Sequence, residues 1–290
     1  MEEQCEFVSE RGYEYFIQHK ILCEEDVDKI IIKIKDKDLI FCKSDFIPLL
    51  TKSLDSIKFS FYLISGRSDY TIPDTFKSDC SILLDSQKVL KWFTVNCVSY
   101  HEKFIPIPLG IDYHTMYDNF NLSPKEQEKT LFDVKKTLKD YNHTKPHAIA
   151  NFHHAMKDPP IRKMFRTLAF KILSSSDCVT WLPKQDRLDF WRSCNDNMFV
   201  ICPFGNGPDT HRPYEILALG RIPIIYHCYM NKELFSNLPV IIVESWKCIT
   251  KEFLVKQHKI IIEKMQNNEY DFNKITCRYW INKINNIINS

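Results

Sequence analysis

The sequence predicts an α/β fold with two domains, and three observations lead to that prediction. Apolar runs of strand length alternate with helical periodicity, as in Leu39–Cys42, then Asp45–Ser56, then the strand-like run Phe59–Ile64. The same alternation returns around a glycine-rich turn in Phe199–Tyr226. Between these regions, residues 121–145 are strongly charged with few large apolar side chains, which predicts an exposed helix followed by a linker.

The first residues of the chain show the weakest secondary-structure patterns. Residues 28–37 enclose a short apolar core, Ile30–Ile32, within charged residues, which is typical of a peripheral element. A clear strand pattern begins only at Leu39.

A polar loop follows the strand-like run that ends at Ile64. Ligands of open α/β sheets bind beyond the carboxyl ends of strands, so the loop Ser65–Asp69 is a candidate site. Asp69 is a candidate general base, which would remove a proton from a substrate hydroxyl. The competing interpretation is an aspartate that stabilises a turn.

Two prolines shape the segment after the stretch Val89–Tyr100. Pro106 and Pro108 exclude a regular helix and favour an extended run, and Gly110 is expected to end that run in a turn. His114 is a second candidate base, although a polar histidine after a turn is more often solvated. The residues expected to line a cleft here are Asn96, Asp112 and His114.

The second half of the chain continues the alternation. The predicted strands are His147–Phe152 and Cys178–Leu182, and the predicted helices are Ile161–Leu173, Leu188–Cys194, Phe253–Met265 and Ile275–Ile288. Arg162 and Arg166 lie four residues apart on one face of the first of these helices. Arg162 is a candidate for contacting a pyrophosphate, and a surface ion pair is the competing interpretation.

The segment Phe199–Tyr226, FVICPFGNGPDTHRPYEILALGRIPIIY, predicts a strand, a glycine loop, a helix and a second strand. The chain has six glycines, and Gly205, Gly207 and Gly220 fall within sixteen positions. A glycine loop before a helix presents free backbone N–H groups at the positive end of the helix dipole, which favours anion binding. Gly220 fits the position just past the helix end.

Polar residues at the start of that helix complete a candidate nucleotide site. Arg212, in the first turn, is suited to clamp phosphate oxygens. Glu215 shares a helix face with His211 and is suited to accept hydrogen bonds from ribose hydroxyls. Asp209 or Thr210 can cap the helix. The competing interpretation is an ordinary βαβ unit, because neither GxGxxG nor a P-loop is present.

Composition narrows the classes of function. The net charge of +2 argues against a general nucleic-acid binder. The eleven cysteines form no CxxC pair, which predicts reduced, mostly buried thiols and no zinc site. The acidic start is no signal peptide, and no apolar run approaches the about 18 residues of a spanning helix. We therefore expect a cytoplasmic protein without a membrane span.

The segment Phe199–Tyr226 resembles the signature of exostosin-like glycosyltransferases, especially the short soluble forms of large DNA viruses, algae and protists. The family pattern is roughly FVxSPxGNGxDxHRxWEaLxxGxIPIV. Tyr214 stands where tryptophan is usual and keeps an aromatic ring, and Pro213 stands at a variable position. The matching residues are Phe199, Val200, Pro203, Gly205, Asn206, Gly207, Asp209, His211, Arg212, Glu215, Leu217, Gly220, Ile222, Pro223 and Ile224.

Further segments resemble other parts of the same family. A loop pattern vLixxnSDxxiP is matched at Ser68, Asp69, Ile72 and Pro73. The pattern WFxxNxxxxHxKxxPIPIGID is matched at Trp92, Asn96, His101, Lys103, Pro106, Pro108, Gly110 and Asp112. A looser pattern, NFxxxTxxxxR, is matched at Asn151, Phe152 and Arg162.

The resemblance implies a GT-B-like α/β fold, with two Rossmann-type domains facing a cleft and a C-terminal helix crossing back. The predicted domains are residues 1–140 on the acceptor side, residues 141–270 on the nucleotide-sugar side, and residues 271–290 for the crossing helix. The implied reaction transfers a sugar, with inversion, from a UDP-sugar to a hydroxyl of a glycan or glycoprotein acceptor.

The resemblance also assigns roles to residues. The candidate catalytic residues are Asp69 and His114, and the candidate donor-binding residues are Gly205, Asn206, Gly207, Asp209, Thr210, His211, Arg212, Glu215 and Arg162. No metal and no cofactor other than the donor substrate is expected. Asp36 and Asp38 have the spacing of the metal-binding DxD of other glycosyltransferases, but a solvated turn before a strand is the favoured interpretation.

Two other functions remain open from the sequence. One is a catalytically silent protein that binds a nucleotide or a glycan on the same fold. The other is a fucosyltransferase-like enzyme that uses a GDP-sugar, whose donor loop has a related layout.

Overall fold

Two five-stranded parallel sheets form the framework of this protein, whose computed structural model describes residues 2–153 and 160–290 without the side chains of 160–164. The first sheet has the order β1-β2-β3-β4-β5. Its strands are β1 (His19–Ile21), β2 (Asp38–Lys43), β3 (Phe61–Gly66), β4 (Val89–Thr94) and β5 (Phe104–Pro106). The central strand β3 is buried at all six positions, as its apolar sequence requires.

The second sheet contains a reversal of strand order. Its strands are β6 (Lys145–Ala150), β7 (Val179–Trp181), β8 (Asn197–Cys202), β9 (Ile222–Tyr226) and β10 (Ile241–Val243), and their order is β10-β9-β8-β6-β7. Strand β6 pairs with β7 on one side and with β8 on the other. The carboxyl ends of β6 and β8 therefore open onto a crevice of the kind in which α/β proteins bind ligands.

Twelve α-helices surround the sheets in the described part of the chain. Those of the first half are α1 (Glu10–Glu14), α2 (Glu24–Ile31), α3 (Ile47–Lys52), α4 (Lys77–Asp85), α5 (His114–Phe120) and α6 (Pro124–Thr137). Those of the second half are α7 (Pro160–Leu173), α8 (Arg187–Ser193), α9 (His211–Ala218), α10 (Asn231–Phe235), α11 (Lys251–Gln266) and α12 (Cys277–Ile288).

The turn before β2 has the structure predicted from the sequence. Lys37 adopts a left-handed φ of 64°, and Asp38 opens the strand. The Asp38 carboxylate lies 3.0 Å from His19 and accepts a hydrogen bond of 2.7 Å from the Lys35 N–H. Asp38 is thus occupied by contacts within the protein. The helix predicted over Asp45–Ser56 is shorter, because 3-10 turns flank α3 on both sides.

Helix α6 is not the exposed helix that its charge predicted. Leu131 and Val134 are buried, and so is the carboxylate of Glu128. That carboxylate accepts hydrogen bonds from the backbone of the N-terminal segment and, at 3.0 Å, from the Tyr113 hydroxyl. The prediction was wrong because the many charged residues hide a narrow apolar stripe at helical spacing.

Helix α12 packs against the first domain and completes the core between the domains. The Val8 N–H donates to the Ile275 carbonyl at 2.9 Å, and the Tyr62 hydroxyl donates to the Ile288 carbonyl at 3.2 Å. Trp280 is fully buried in a hydrophobic cluster that draws on both domains. Two facing Rossmann-type domains and a returning C-terminal helix confirm the predicted GT-B-like architecture.

None of the helices in the described residues is both long and apolar enough to cross a membrane.

Candidate functional site

The cleft between the two sheets contains two adjoining cavities. The N-terminal cavity, lined mainly by the loops after β2 and β3 and by α1, has a volume of about 430 Å³. The C-terminal cavity, lined mainly by the glycine loop after β8 and the start of α9, has a volume of about 380 Å³. Asp69, Leu109 and His211 line both cavities, so the two cavities meet at these residues.

The glycine loop needs its glycines for close approach between chain segments. A Cβ atom on Gly207 would lie 2.5 Å from Oδ1 of Asn96, and one on Gly205 would lie 2.8 Å from Cγ2 of Thr210. Neither of these glycines has a left-handed φ, whereas Gly220, just past the end of α9, has a φ of 73°. Gly220 therefore ends the helix as predicted.

The N-terminus of α9 has no side-chain cap. Thr210 occupies the N-cap position, but its hydroxyl accepts no hydrogen bond from the first turn. Asp209 does not cap the first turn either, because its carboxylate accepts hydrogen bonds from the Thr210 N–H, the Leu109 N–H and the Tyr214 hydroxyl at 2.8 to 3.0 Å. The start of α9, which lines the C-terminal cavity, therefore has no cap from the side chain of Thr210 or Asp209.

Asp209 joins the two domains. The residue is only 3% exposed, and Leu109, which donates to it, belongs to the first domain. Burial raises the pKa of Asp209 to about 7, against the lowering effect of its three donors. Its contacts are with the protein, and its predicted place among the donor-binding residues stays a prediction.

Two amide side chains tie the glycine loop to the first domain. Asn96, fully buried with a left-handed φ of 56°, accepts a hydrogen bond from the Asp209 N–H at 3.0 Å and donates to the Ser68 carbonyl at 3.3 Å. Asn206 donates to Oδ2 of Asp69 at 2.9 Å. The loop after β3 and the glycine loop are thereby held in one fixed arrangement.

The close approach of Gly207 to the Asn96 side chain predicts that substitutions at these two positions partly compensate each other. Gly207→Ala should lower the free energy of unfolding by about 1–3 kcal/mol, because the new methyl group overlaps the Asn96 amide. Asn96→Ala should cost about 1–3 kcal/mol through its lost hydrogen bonds. The double variant should cost at least about 1 kcal/mol less than the sum, because the overlap is then absent. Urea unfolding of the four proteins measures this coupling.

Gly205→Ala is the matched control for this cycle. Its added methyl group would meet Thr210 and not Asn96. Gly205→Ala and Asn96→Ala should therefore combine additively to within about 0.5 kcal/mol. If the costs of Gly207→Ala and Asn96→Ala also add, Asn96 does not support the glycine loop.

Two arginines bring positive charge to the C-terminal cavity. The Arg212 guanidinium donates to the Asn151 carbonyl and lies 4.3 Å from the centre of the Phe190 ring. Arg166 donates to the Phe204 carbonyl at 2.8 Å, and burial together with the neighbouring Arg212 lowers its pKa to about 10. Within the described ranges, neither guanidinium lies within 4.0 Å of a carboxylate. Their charges are therefore left for an anionic ligand.

Arg162, a candidate for contacting a pyrophosphate, and Arg166 belong to the same helix. Both lie on α7, but the side chain of Arg162 is outside the described residues, and its predicted contact with a pyrophosphate stays a prediction. Arg166, one helical turn later, lines the C-terminal cavity.

Glu215 is already engaged in a buried ion pair. Its Oε1 lies 2.7 Å from the Arg187 guanidinium, and its Oε2 accepts a hydrogen bond of 3.3 Å from the Trp191 indole. Arg187 also donates to Gln127 at 3.0 Å and lies 4.8 Å from the centre of the Trp191 ring. Both oxygens of Glu215 thus have a protein partner, and its predicted place as an acceptor for ribose hydroxyls stays a prediction.

The N-terminal cavity contains charged residues that the sequence analysis did not identify. Glu10, on α1, is buried and accepts a hydrogen bond from the Arg67 N–H; burial raises its pKa to about 8. Arg67 has a left-handed φ of 55° and lies 3.3 Å from the carboxylate of Glu14. Arg11 forms a two-pronged pair with Asp118 at 2.6 and 3.1 Å. The short helix α1 thus forms part of the cleft wall.

Three further polar side chains meet where the domains join. Nδ1 of His114 lies 3.2 Å from Oδ1 of Asp112, which also accepts a hydrogen bond from the Thr115 N–H at 2.9 Å. Nδ1 of His211 lies 2.7 Å from the Gly110 carbonyl, so it carries the proton in this contact. The two imidazole rings are 5.5 Å apart. Asp112 therefore orients His114, and Gly110 orients His211.

Comparisons with known proteins add only to the description of the fold. No protein-family model matches the chain, and no curated protein matches it. The chain is similar to a crystal structure of an α,α-trehalose-phosphate synthase (UDP-forming) from Burkholderia vietnamiensis, with 8% identity and a TM-score of 0.43, covering 91% of this chain and 77% of that one.

A second similar structure is described as trehalose-6-phosphate from E. coli bound with UDP-2-fluoro glucose. It shares 11% identity and a TM-score of 0.42, covering 90% of this chain and 76% of that one. The exostosin-like resemblance stays a prediction, because no family model matches.

Proposed function

We propose that this protein is a glycosyltransferase that moves a sugar from a UDP-sugar to a hydroxyl of a glycan or glycoprotein acceptor, with inversion. The observation that carries the proposal is the C-terminal cavity, where Arg166 and Arg212 lie beside the uncapped start of α9 and have no carboxylate within 4.0 Å among the described residues. Free N–H groups and unpaired guanidinium groups are what a diphosphate needs. The choice of UDP and of a glycan rests on the resemblance to exostosin-like enzymes.

In this proposal the donor diphosphate occupies the C-terminal cavity, and the acceptor occupies the N-terminal cavity. The acceptor oxygen forms a bond to the anomeric carbon on the face opposite to the diphosphate. The bond from that carbon to the diphosphate oxygen breaks, and its electron pair leaves with UDP. Arg212 and the N-terminus of α9 stabilise the developing negative charge, so no metal is required at the diphosphate.

The acceptor proton passes to Asp69 in the favoured version of this mechanism. Asp69 is the carboxylate that lines both cavities, so it lies where the acceptor and the anomeric carbon would meet. His114 is the second candidate base, favoured by its contact with Asp112. If Asp69 is the base, substitution of Asp69 abolishes most of the turnover; if His114 is the base, substitution of His114 does so.

Nucleotide binding tests the proposal before any acceptor is known. In the presence of EDTA, UDP at about 100 times its Kd should add about 2.7 kcal/mol to the stability of the native protein. Arg212→Ala should weaken UDP binding by about 10- to 100-fold, since it removes a charged hydrogen-bond donor. Urea unfolding with and without UDP measures the gain in stability, and isothermal titration calorimetry with UDP, GDP and CMP measures the affinities.

Arg192→Ala is the matched control, because Arg192 is an exposed arginine on α8 that pairs with Asp189 at 3.4 Å. It should bind UDP like the unmodified protein. Unchanged UDP binding by Arg212→Ala would place the donor site elsewhere. Binding of GDP alone would replace this proposal by the GDP-sugar enzyme.

A further inference from the structure

The cluster of Asp112, His114 and His211 has the composition of a metal site. Each residue offers one ligand atom, and these three atoms lie within 4.8 Å of one another. All three side chains are half-buried, so they are partly shielded from water and still reachable. Asp112 and His114 belong to the first domain, and His211 begins α9 of the second. The cluster therefore bridges the two domains.

We propose that these three side chains bind a borderline divalent cation, with Zn²⁺ as the preferred ion. Imidazole nitrogens and a carboxylate oxygen are ordinary ligands of Zn²⁺, and three protein ligands leave a fourth position open for water or another oxygen. No local sequence pattern indicates this site, because two ligands are separated from the third by almost a hundred residues.

The neighbours of the cluster already orient its ligands as in a metal site. The Gly110 carbonyl accepts the Nδ1 proton of His211, which leaves Nε2 of that ring as a bare lone pair. The Thr115 N–H fixes one oxygen of Asp112. Hydrogen bonds of this kind to carbonyl and amide groups hold the tautomer and the direction of metal ligands. The directions of two of the three ligands are therefore set by hydrogen bonds within the protein.

The charges around the cluster also favour a cation. The nearest arginines of the N-terminal cavity, Arg11 and Arg67, are each paired with a carboxylate, which offsets their positive charge. Asp69 adds a carboxylate to the same cavity, whereas burial raises the pKa of Glu10 to about 8 and favours its neutral form. The ion would lie at the junction of the two cavities, since His114 and His211 line the N-terminal cavity and Asp112 and His211 line the C-terminal cavity. Its binding does not depend on the proposed function.

Calorimetric titration of the full-length, metal-free protein with Zn²⁺ near neutral pH tests the proposal. We expect one ion per chain, and at least about 100-fold weaker binding by His114→Ala and by Asp112→Asn, each of which removes a ligand. Asp112→Asn keeps an oxygen for the Thr115 N–H, so it should fold even if another variant does not. His143→Ala is the matched control, because His143 is an exposed histidine distant in the chain from the cluster.

Absorption of the Co²⁺-loaded protein separates this site from binding by cysteines. Cys23 and Cys248 are exposed thiols. A site of two imidazoles and a carboxylate gives cobalt d–d bands without thiolate-to-metal charge transfer. A thiolate band, equal Zn²⁺ affinity in all variants, or no binding by the unmodified protein would each overturn the proposal. Because no nucleotide is present, none of these results bears on sugar transfer.

Discussion

Asp69→Asn is expected to lower kcat for sugar transfer by about 10²- to 10⁴-fold, the range that a positioned general base contributes. The affinity for UDP should remain nearly unchanged, because the glycine loop, Arg166 and Arg212 are untouched. Asparagine can still accept the hydrogen bond from Asn206, so the link across the cleft is kept. Steady-state kinetics with a UDP-sugar and its acceptor measures kcat, and calorimetry with UDP on the same proteins measures the affinity. Together they show whether kcat falls while the affinity is kept.

His114→Gln is the companion variant in that experiment. If Asp69 is the base, His114→Gln should retain most of the turnover of the unmodified enzyme. The reverse pattern, full kcat in Asp69→Asn and its loss in His114→Gln, would assign the base to His114 oriented by Asp112. Asp133→Asn serves as a control, since Asp133 is an exposed carboxylate paired only with Lys136.

The sequence predicted those parts of the fold whose pattern is local. Strand β9 was predicted with its observed bounds, Ile222–Tyr226, because a buried apolar run is closed by Gly220 on one side and by polar residues on the other. The burial of α6 was missed, because charged residues hide its narrow apolar stripe and because the partners of Glu128 lie in the N-terminal segment, far away in the chain.

In the candidate site, too, residues with a local sequence signal were predicted, and residues that depend on distant partners were missed. The loops after β3 and β8 were recognised from their position at strand ends, and the structure brings Asp69 and Asn206 into contact. Glu10 and Arg187 were missed, because each acquires its role through partners far away in the chain. The separation between Arg187 and Glu215 is 28 residues, and no spacing rule links a residue on α8 to one on α9.

Glu215→Ala is expected to reduce the free energy of unfolding by about 3–5 kcal/mol, because it leaves the charge of Arg187 buried without its partner. The Trp191 indole loses its acceptor in the same change. Such a loss of stability would show that Glu215 supports the fold, whereas the predicted role as an acceptor for ribose hydroxyls would instead lower the affinity for UDP. Urea unfolding monitored by tryptophan fluorescence measures the loss.

Glu215→Gln separates the contribution of charge from that of shape. The amide retains an oxygen acceptor for the indole or the guanidinium, so this variant should be more stable than Glu215→Ala. Asp133→Ala is the surface comparison and should change stability by no more than about 0.5 kcal/mol. If Glu215→Ala unfolds within about 1 kcal/mol of the unmodified protein while its UDP affinity falls, the ion pair contributes little to folding. Glu215 would then act on the nucleotide, as the sequence alone suggested.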